Sequence, residues 1–190
     1  MSAAAAPLAF KNPVWLELIQ LIPVVSLALP FIFAGGVDLS RAESGLVIAA
    51  LLTIPVAAVV TWKRGVHNPI LLGTALWLWA GALSFVVPVP ALEALVLEAQ
   101  GFGLFAGVFA VGLVTTFASP AGFIGCRHPD PRFVRRASAG LLALSALALG
   151  WAWLFRQNIR LGGGLPFIVL NVVRRVTIVR APAMSATGSD

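Results

Sequence analysis

The chain has 190 residues, of which 59% are hydrophobic and only 11% are charged, and its mean hydropathy is +0.97. A water-soluble domain is roughly 25% charged, so this composition excludes a soluble globular protein and indicates a polytopic membrane protein. The net charge of +6 does not indicate nucleic-acid binding, because the basic residues lie in short segments between apolar runs. We therefore predict an all-α fold, a helical bundle that crosses the membrane six times or, alternatively, five.

The first 14 residues are expected to form a cytoplasmic tail, since no basic stretch precedes an apolar core as it would in a signal peptide. The first apolar run, 15–33, carries Glu17 and Gln20, which are three residues apart and share a helix face. A carboxylate within a span predicts a proton or cation site. The alternative is that Glu17, two residues after Trp15, lies at headgroup depth and has no such role.

The middle of the chain contains four further apolar runs. The second covers 45–62 and ends in Trp62-Lys63-Arg64, and the third begins at Asn68-Pro69, which is typical of a helix start. Residues 91–100 predict a short amphipathic helix on the outer surface. The fourth run then covers 102–117, where Gly103 and Gly107 favour close helix packing. The fifth covers 137–155.

The last stretch allows two interpretations. A sixth span puts ten basic residues inside and three outside, whereas a five-span topology gives seven against six. The positive-inside rule favours six. The ten inside residues would be Lys11, Lys63, Arg64, Arg127, Arg132, Arg135, Arg136, Arg174, Arg175 and Arg180, and the three outside would be Arg41, Arg156 and Arg160. The alternative is a final basic helix that lies along the membrane surface, with Asn171, Arg174 and Arg175 at helical spacing on one face.

A glycine-rich segment precedes this final stretch. Gly162, Gly163, Gly164 and Pro166 predict either a break that aims a half-helix at an anionic group or a flexible outer turn. In the second interpretation, Pro166 lies in the first turn of the last helix.

The segment 126–136 is the most basic part of the chain. We predict a cytoplasmic loop in which Arg127, Arg132, Arg135 and Arg136 contact anionic headgroups or an acidic partner. Cys126, His128 and Asp130 are zinc-ligand types, but no second ligand pair lies nearby in the sequence. The sequence therefore predicts no metal site, and it also lacks a catalytic or cofactor-binding set.

The layout resembles the intracellular septation protein A family of bacterial inner-membrane proteins. The resemblance is carried by Thr61-Trp62-Lys63-Arg64, the third span that follows closely, and Arg135-Arg136-Ala137, and it covers residues 40–160. It implies scaffolding in cell-envelope synthesis or division, without catalytic residues.

We therefore predict a non-catalytic structural or partner-binding protein of the bacterial inner membrane, with both termini cytoplasmic. Residues 15–180 would form a single transmembrane domain, and residues 181–190 would form a disordered tail. The expected partners are the anionic bilayer and other membrane proteins or a second copy of the chain, not nucleic acid. The alternatives are a small transporter, which would use Glu17, Gln20 and the break at Gly162–Pro166, and an accessory subunit of a larger membrane complex.

Overall fold

The structure is a computed structural model that describes residues 12–33, 39–87, 90–156, 158 and 160–181. These residues contain six α-helices and no strand. The helices are α1 (Val14–Phe33), α2 (Leu39–Trp62), α3 (Pro69–Val86), α4 (Pro90–Ala118), α5 (Pro131–Leu154) and α6 (Leu165–Val179), and a π-helical turn, Arg160–Gly164, leads directly into α6. The predicted all-α membrane bundle is confirmed. Most of the two predicted tails lies outside the described residues.

Within the described residues, five segments are long and apolar enough to cross a membrane. They are Glu43–Trp62, Pro69–Val86, Gly101–Ala118, Pro131–Leu154 and Leu161–Val179. α1 is 20 residues long and is apolar from Val14 to Leu27. The last of the five segments contains Arg174 and Arg175 and qualifies by its length and composition, so the number of crossings, five or six, stays a prediction.

Contacts between the helices show that their directions alternate. The start of α1 lies against the end of α2, since a Cβ at Gly65 would meet the side chains of Leu16 and Val60. At the other end of the bundle, Gly81 of α3 packs against Leu46 of α2. The two described chain ends therefore lie at the same end of the bundle.

We call this end the basic end. It contains residues 12–17, the α2–α3 loop at 63–68, the α4–α5 connection at 119–130 and the last two turns of α6. Ile178 of α6 packs there with Ile124 and Val134. At the opposite end, Gly101 at the start of the apolar part of α4 packs against the backbone of Gly162 and Gly163.

The tightest packing lies between α3 and α4. A Cβ on Gly107 would come within 2.6 Å of the Gly73 carbonyl oxygen, and a Cβ on Gly73 would meet the backbone of Val108. Gly103 leaves room for the ring of Trp77. Small residues let membrane helices approach closely enough for extensive dispersion contacts, so these glycines fix the centre of the bundle.

Three local predictions differ from the structure. Residues 91–100 do not form a separate surface helix, because α4 runs without a break from Pro90 to Ala118. The predicted basic loop is also shorter, because α5 begins at Pro131, where the Asp130 side chain accepts a hydrogen bond from Arg132 N at 2.8 Å. The glycine-rich segment is helical rather than a flexible turn.

Candidate functional site

A group of polar side chains lies at the basic end, between α1, the start of α3 and α6. We call it the polar cluster, and its members are Glu17, Gln20, Asn68, Asn171, Arg174 and Arg175. It brings together residues from the first and last described helices. Polar groups are costly in the apolar part of a membrane protein unless they find partners, so these contacts determine how the two helices meet.

Three amides form the neutral half of the polar cluster. Gln20 Oε1 accepts a hydrogen bond from Asn68 N at 2.7 Å, and Gln20 Nε2 donates to Leu16 O at 3.2 Å. Asn68 Oδ1 caps α3 by accepting from Ile70 N at 3.1 Å, while Asn68 Nδ2 donates to Asn171 Oδ1 at 3.2 Å. Asn68 therefore links α1, α3 and α6.

Two arginines of α6 form the charged half, together with Glu17. Arg175 Nη1 lies 2.9 Å from Glu17 Oε2, and Arg174 Nη1 lies 4.0 Å from the same oxygen. The Arg174 side chain is only 2% exposed, against 37% for Arg175 and 17% for Glu17. Arg174 Nε donates to Ile124 O at 2.9 Å, whereas Arg174 Nη2 is buried and has no hydrogen-bond partner in the described part of the chain.

The turn that presents the Ile124 carbonyl depends on two glycines. Gly122 and Gly125 have φ angles of 59° and 62°, in the left-handed region that favours glycine. A Cβ on Gly125 would lie 2.8 Å from Pro69 Cδ, so the turn packs directly against the start of α3. The Ser138 hydroxyl of α5 accepts from Ile124 N at 3.3 Å, which fixes this carbonyl beneath Arg174.

The α2–α3 loop closes the cluster on one side. Asn12 Nδ2 donates to Val66 O at 2.6 Å, and Asn12 Oδ1 accepts from Val66 N at 2.9 Å. Burial lowers the pKa of His67, because the partly desolvated ring favours its neutral form. A cavity of about 50 Å³ borders Gln20, His67 and Asn68. That volume accommodates roughly one or two water molecules, not a larger solute.

The structure assigns new partners to the two polar residues predicted in the first run. Gln20 is buried and Glu17 is mostly buried. Gln20 bonds to Asn68 at the start of α3, and Glu17 pairs with the arginines of α6. The sequence analysis gave Arg174 only as an inside charge or as part of one basic helix face with Asn171 and Arg175, and it did not predict the contact with Glu17. The available signal was the position of Arg174 in an apolar run, three residues after Asn171 and therefore on the same helix face.

The four arginines predicted for the basic loop form a separate exposed surface, which we call the arginine surface: Arg127, Arg132, Arg135 and Arg136. Arg127 lies in the connection, and the other three lie in the first two turns of α5. Their side chains make no ion pair or hydrogen bond with any residue that the structure describes. Four guanidinium groups are thus available to a ligand outside the chain.

Cys126, His128 and Asp130 have local structural roles. Asp130 caps α5, its backbone N donates to His128 Nδ1 at 3.1 Å, and Cys126 is buried beside Ile124. Among the residues that the structure describes, no three His, Cys, Asp or Glu side chains gather into a group that would hold a metal ion.

The predicted break at Gly162, Gly163, Gly164 and Pro166 is a packing site. A Cβ on Gly162 would lie 2.6 Å from the Phe155 carbonyl oxygen, and Gly101 of α4 lies against Gly162 and Gly163. The backbone remains helical through Gly164 into α6. Pro166 lies in the first turn of α6, as the second interpretation predicted. The glycines allow α6 to begin close to α4 and α5.

No protein-family model matches the chain, and no curated protein or solved structure is significantly similar to it. Conclusions about function therefore depend on the geometry of the polar cluster and the arginine surface.

Proposed function

We propose that this is a non-catalytic protein of the bacterial inner membrane whose basic end lies in the cytoplasm and binds anionic headgroups through the arginine surface. Membrane insertion retains basic segments in the cytoplasm, and nine of the described basic residues lie at the basic end. They are Lys63, Arg64, Arg127, Arg132, Arg135, Arg136, Arg174, Arg175 and Arg180. Both termini would then be cytoplasmic.

The observation that carries the proposal is the exposure of four arginines whose side chains have no ion pair or hydrogen bond within the described ranges of the chain. Arg132, Arg135 and Arg136 lie in the first two turns of α5, before the apolar run predicted for residues 137–155, and in the proposed orientation they would lie at the depth of the lipid phosphates. A basic residue near an anionic leaflet contributes about 1 kcal/mol to binding. Four such residues therefore favour a specific association with anionic lipid over a purely solvated surface.

The biological setting that we propose is envelope assembly or septation, which the resemblance to the septation protein A family suggests. A bundle with closely packed helices and a charged cytoplasmic face suits a protein that positions partners in the membrane. An accessory subunit of a larger complex would have the same physical requirements. In both cases the chain's contribution is binding rather than chemistry.

The transporter alternative has less support. Its candidate carboxylate, Glu17, is already paired with Arg174 and Arg175. The cavity beside Gln20 holds only about 50 Å³, which is smaller than most transported solutes require. These contacts favour a structural role for Glu17 and Gln20.

The first test measures anionic lipid retained by purified protein. The R132Q/R135Q/R136Q variant and the wild type are extracted in a non-ionic detergent, and bound phosphatidylglycerol is quantified by mass spectrometry during a graded salt wash. Three lost contacts should weaken retention by about two orders of magnitude. Arg156→Gln, an exposed arginine at the opposite end, is the control and should retain lipid like the wild type. Equal retention in all three proteins would contradict the proposal.

The second test addresses orientation and setting. A green fluorescent protein fused to the C-terminus becomes fluorescent only if that end stays in the cytoplasm. Bright cells are expected, with enrichment at division sites if the protein takes part in septation. A dark but expressed fusion would refute the proposed orientation, and uniform membrane staining would refute the septation setting alone.

A further inference from the structure

The polar cluster contains more positive than negative charge. Two guanidinium groups face one carboxylate, and the other members are neutral amides, so one positive charge is left over among the described residues. Glu17 Oε2 is closer to Arg175, at 2.9 Å, than to Arg174, at 4.0 Å. The less compensated charge is therefore the one on Arg174, which is also the more buried of the two arginines.

Arg174 also has unused hydrogen-bonding capacity. Its Nε is bonded to Ile124 O, but its Nη2 is buried and meets no acceptor among the described residues. Gly125 lies beside it, since a Cβ there would be 3.4 Å from Nη2. A desolvated guanidinium is costly unless its charge and its N–H donors are both compensated. A neutral acceptor such as water would satisfy the donor but leave the charge.

We infer that Arg174 and Arg175 bind a phosphate group, and that Glu17 competes with it for the same two guanidinium groups. The planar guanidinium matches a phosphate through two parallel hydrogen bonds, and such charge-assisted bonds are among the strongest in proteins. A phosphate would supply both the missing charge and an acceptor for Nη2. This site is distinct from the arginine surface and does not depend on it.

The position of the site makes it accessible from the cytoplasmic interface. Arg175 is 37% exposed, whereas Arg174 Nη2 is buried, so a phosphate that binds Arg175 reaches Nη2 only when side chains of the polar cluster shift. Exposed Lys63 and Arg64 lie in the adjoining loop and raise the local concentration of anions. The phosphate can belong to a lipid headgroup or be free in solution, and the chemistry of recognition is the same.

The test uses the full chain and follows thermal unfolding by tryptophan fluorescence, since the chain has six tryptophans. In a non-ionic detergent, sodium phosphate is titrated against sodium chloride at equal ionic strength. Binding to the folded state should raise the unfolding temperature of the wild type by a few degrees and in a saturable manner. In a parallel arm, nanodiscs of phosphatidylglycerol are compared with nanodiscs of phosphatidylcholine. This arm uses the R127Q/R132Q/R135Q/R136Q background, so that the arginine surface does not contribute.

The Glu17→Gln variant distinguishes a binding site from a purely structural ion pair. It removes the competing carboxylate, so the half-saturating phosphate concentration should fall about tenfold. A structural role predicts only a lower unfolding temperature, with no gain in the response to phosphate. Arg174→Gln and Arg175→Gln should lose the response, and the second, at a more exposed position, remains informative if the first does not fold.

Each outcome decides the proposal. A response to inorganic phosphate that E17Q strengthens and R175Q abolishes supports a site for free phosphate. A response confined to phosphatidylglycerol nanodiscs, with the same dependence on these residues, supports a lipid headgroup. The inference would be overturned if phosphate raised the unfolding temperature no more than chloride did and phosphatidylglycerol no more than phosphatidylcholine did. It would also be overturned if E17Q and R175Q left the response unchanged.

Discussion

The α3–α4 interface and the junction of α1 with α6 hold the bundle together by different means. α3 and α4 meet through glycines, with backbone against backbone at Gly73 and Gly107. α1 and α6 meet through the ion pairs of Glu17 with Arg174 and Arg175, and through the amides of Gln20, Asn68 and Asn171. The first interface is apolar and closely packed, whereas the second is polar and carries more positive than negative charge.

The difference reflects what each interface must achieve. Between membrane helices, apolar surface gains little by leaving lipid, so attraction must come from close contact or from polar bonds. Neighbouring helices such as α3 and α4 can use close contact along their whole length. α1 and α6 are the most distant helices in the sequence, and their polar junction at one end is also the part that can respond to a ligand.

The largest effect is expected at the glycine interface. Gly73→Val would place side-chain atoms into the backbone of Val108 and Gly107, which cannot move without separating the helices. The free energy of unfolding, measured by denaturation in mixed micelles, should fall by about 3 kcal/mol or more. Gly140→Ala is the control, because nothing lies within 4 Å of that position. It should leave stability unchanged or raise it by up to about 1 kcal/mol. Similar losses in both variants would contradict close packing as the cause.

The next largest effect is expected for Glu17→Gln without phosphate present. Both arginines lose their counter-charge, and the stability of the bundle should fall by roughly 2 kcal/mol, less than for a fully buried pair because Arg175 is partly exposed. The control is Glu43→Gln, an exposed glutamate at the opposite end, whose loss should change stability by less than about 0.5 kcal/mol. An equal loss of stability in the two variants would show that the ion pairs of Glu17 stabilise the bundle no more than an exposed glutamate does.

A smaller effect is expected for Asn68→Ala. This change removes the cap of α3 and the bond to Asn171, each worth about 1 kcal/mol, so a total loss of roughly 2 kcal/mol or somewhat less should appear in the same unfolding assay. Asn158→Ala removes an exposed bond to Leu161 N at the opposite end and should cost less. A greater loss at Asn158 would argue against Asn68 as the link between three helices.

The smallest effect concerns pH. Because burial lowers the pKa of His67 in the folded protein, the unfolded state binds the proton more readily. The resulting contribution to stability is fully present above the unfolded pKa of about 6.5 and is lost as the pH falls toward the lower folded value. Unfolding temperatures at pH 7.5 and 5.5 would measure this loss, and His67→Gln should reduce it. An identical pH dependence in both proteins would assign the effect to other groups.

Some of the architecture could be read from local patterns. Asn68-Pro69 marks the start of α3 because a capping side chain and a fixed proline φ act within one turn. Gly103 and Gly107 predicted close packing, which the structure places between α4 and α3. Residues 91–100 were misassigned because an amphipathic pattern does not show whether a helix continues past Gly101.

The sequence by itself determined the all-helical membrane class and the concentration of basic residues in particular connections. These follow from composition and from interactions within a few residues. Only the tertiary structure decided that Glu17 faces Arg174 and Arg175, some 157 residues away, and that Ile124 O accepts from Arg174. Such contacts depend on which helix faces meet, and this is determined by the packing of the whole bundle rather than by any local pattern.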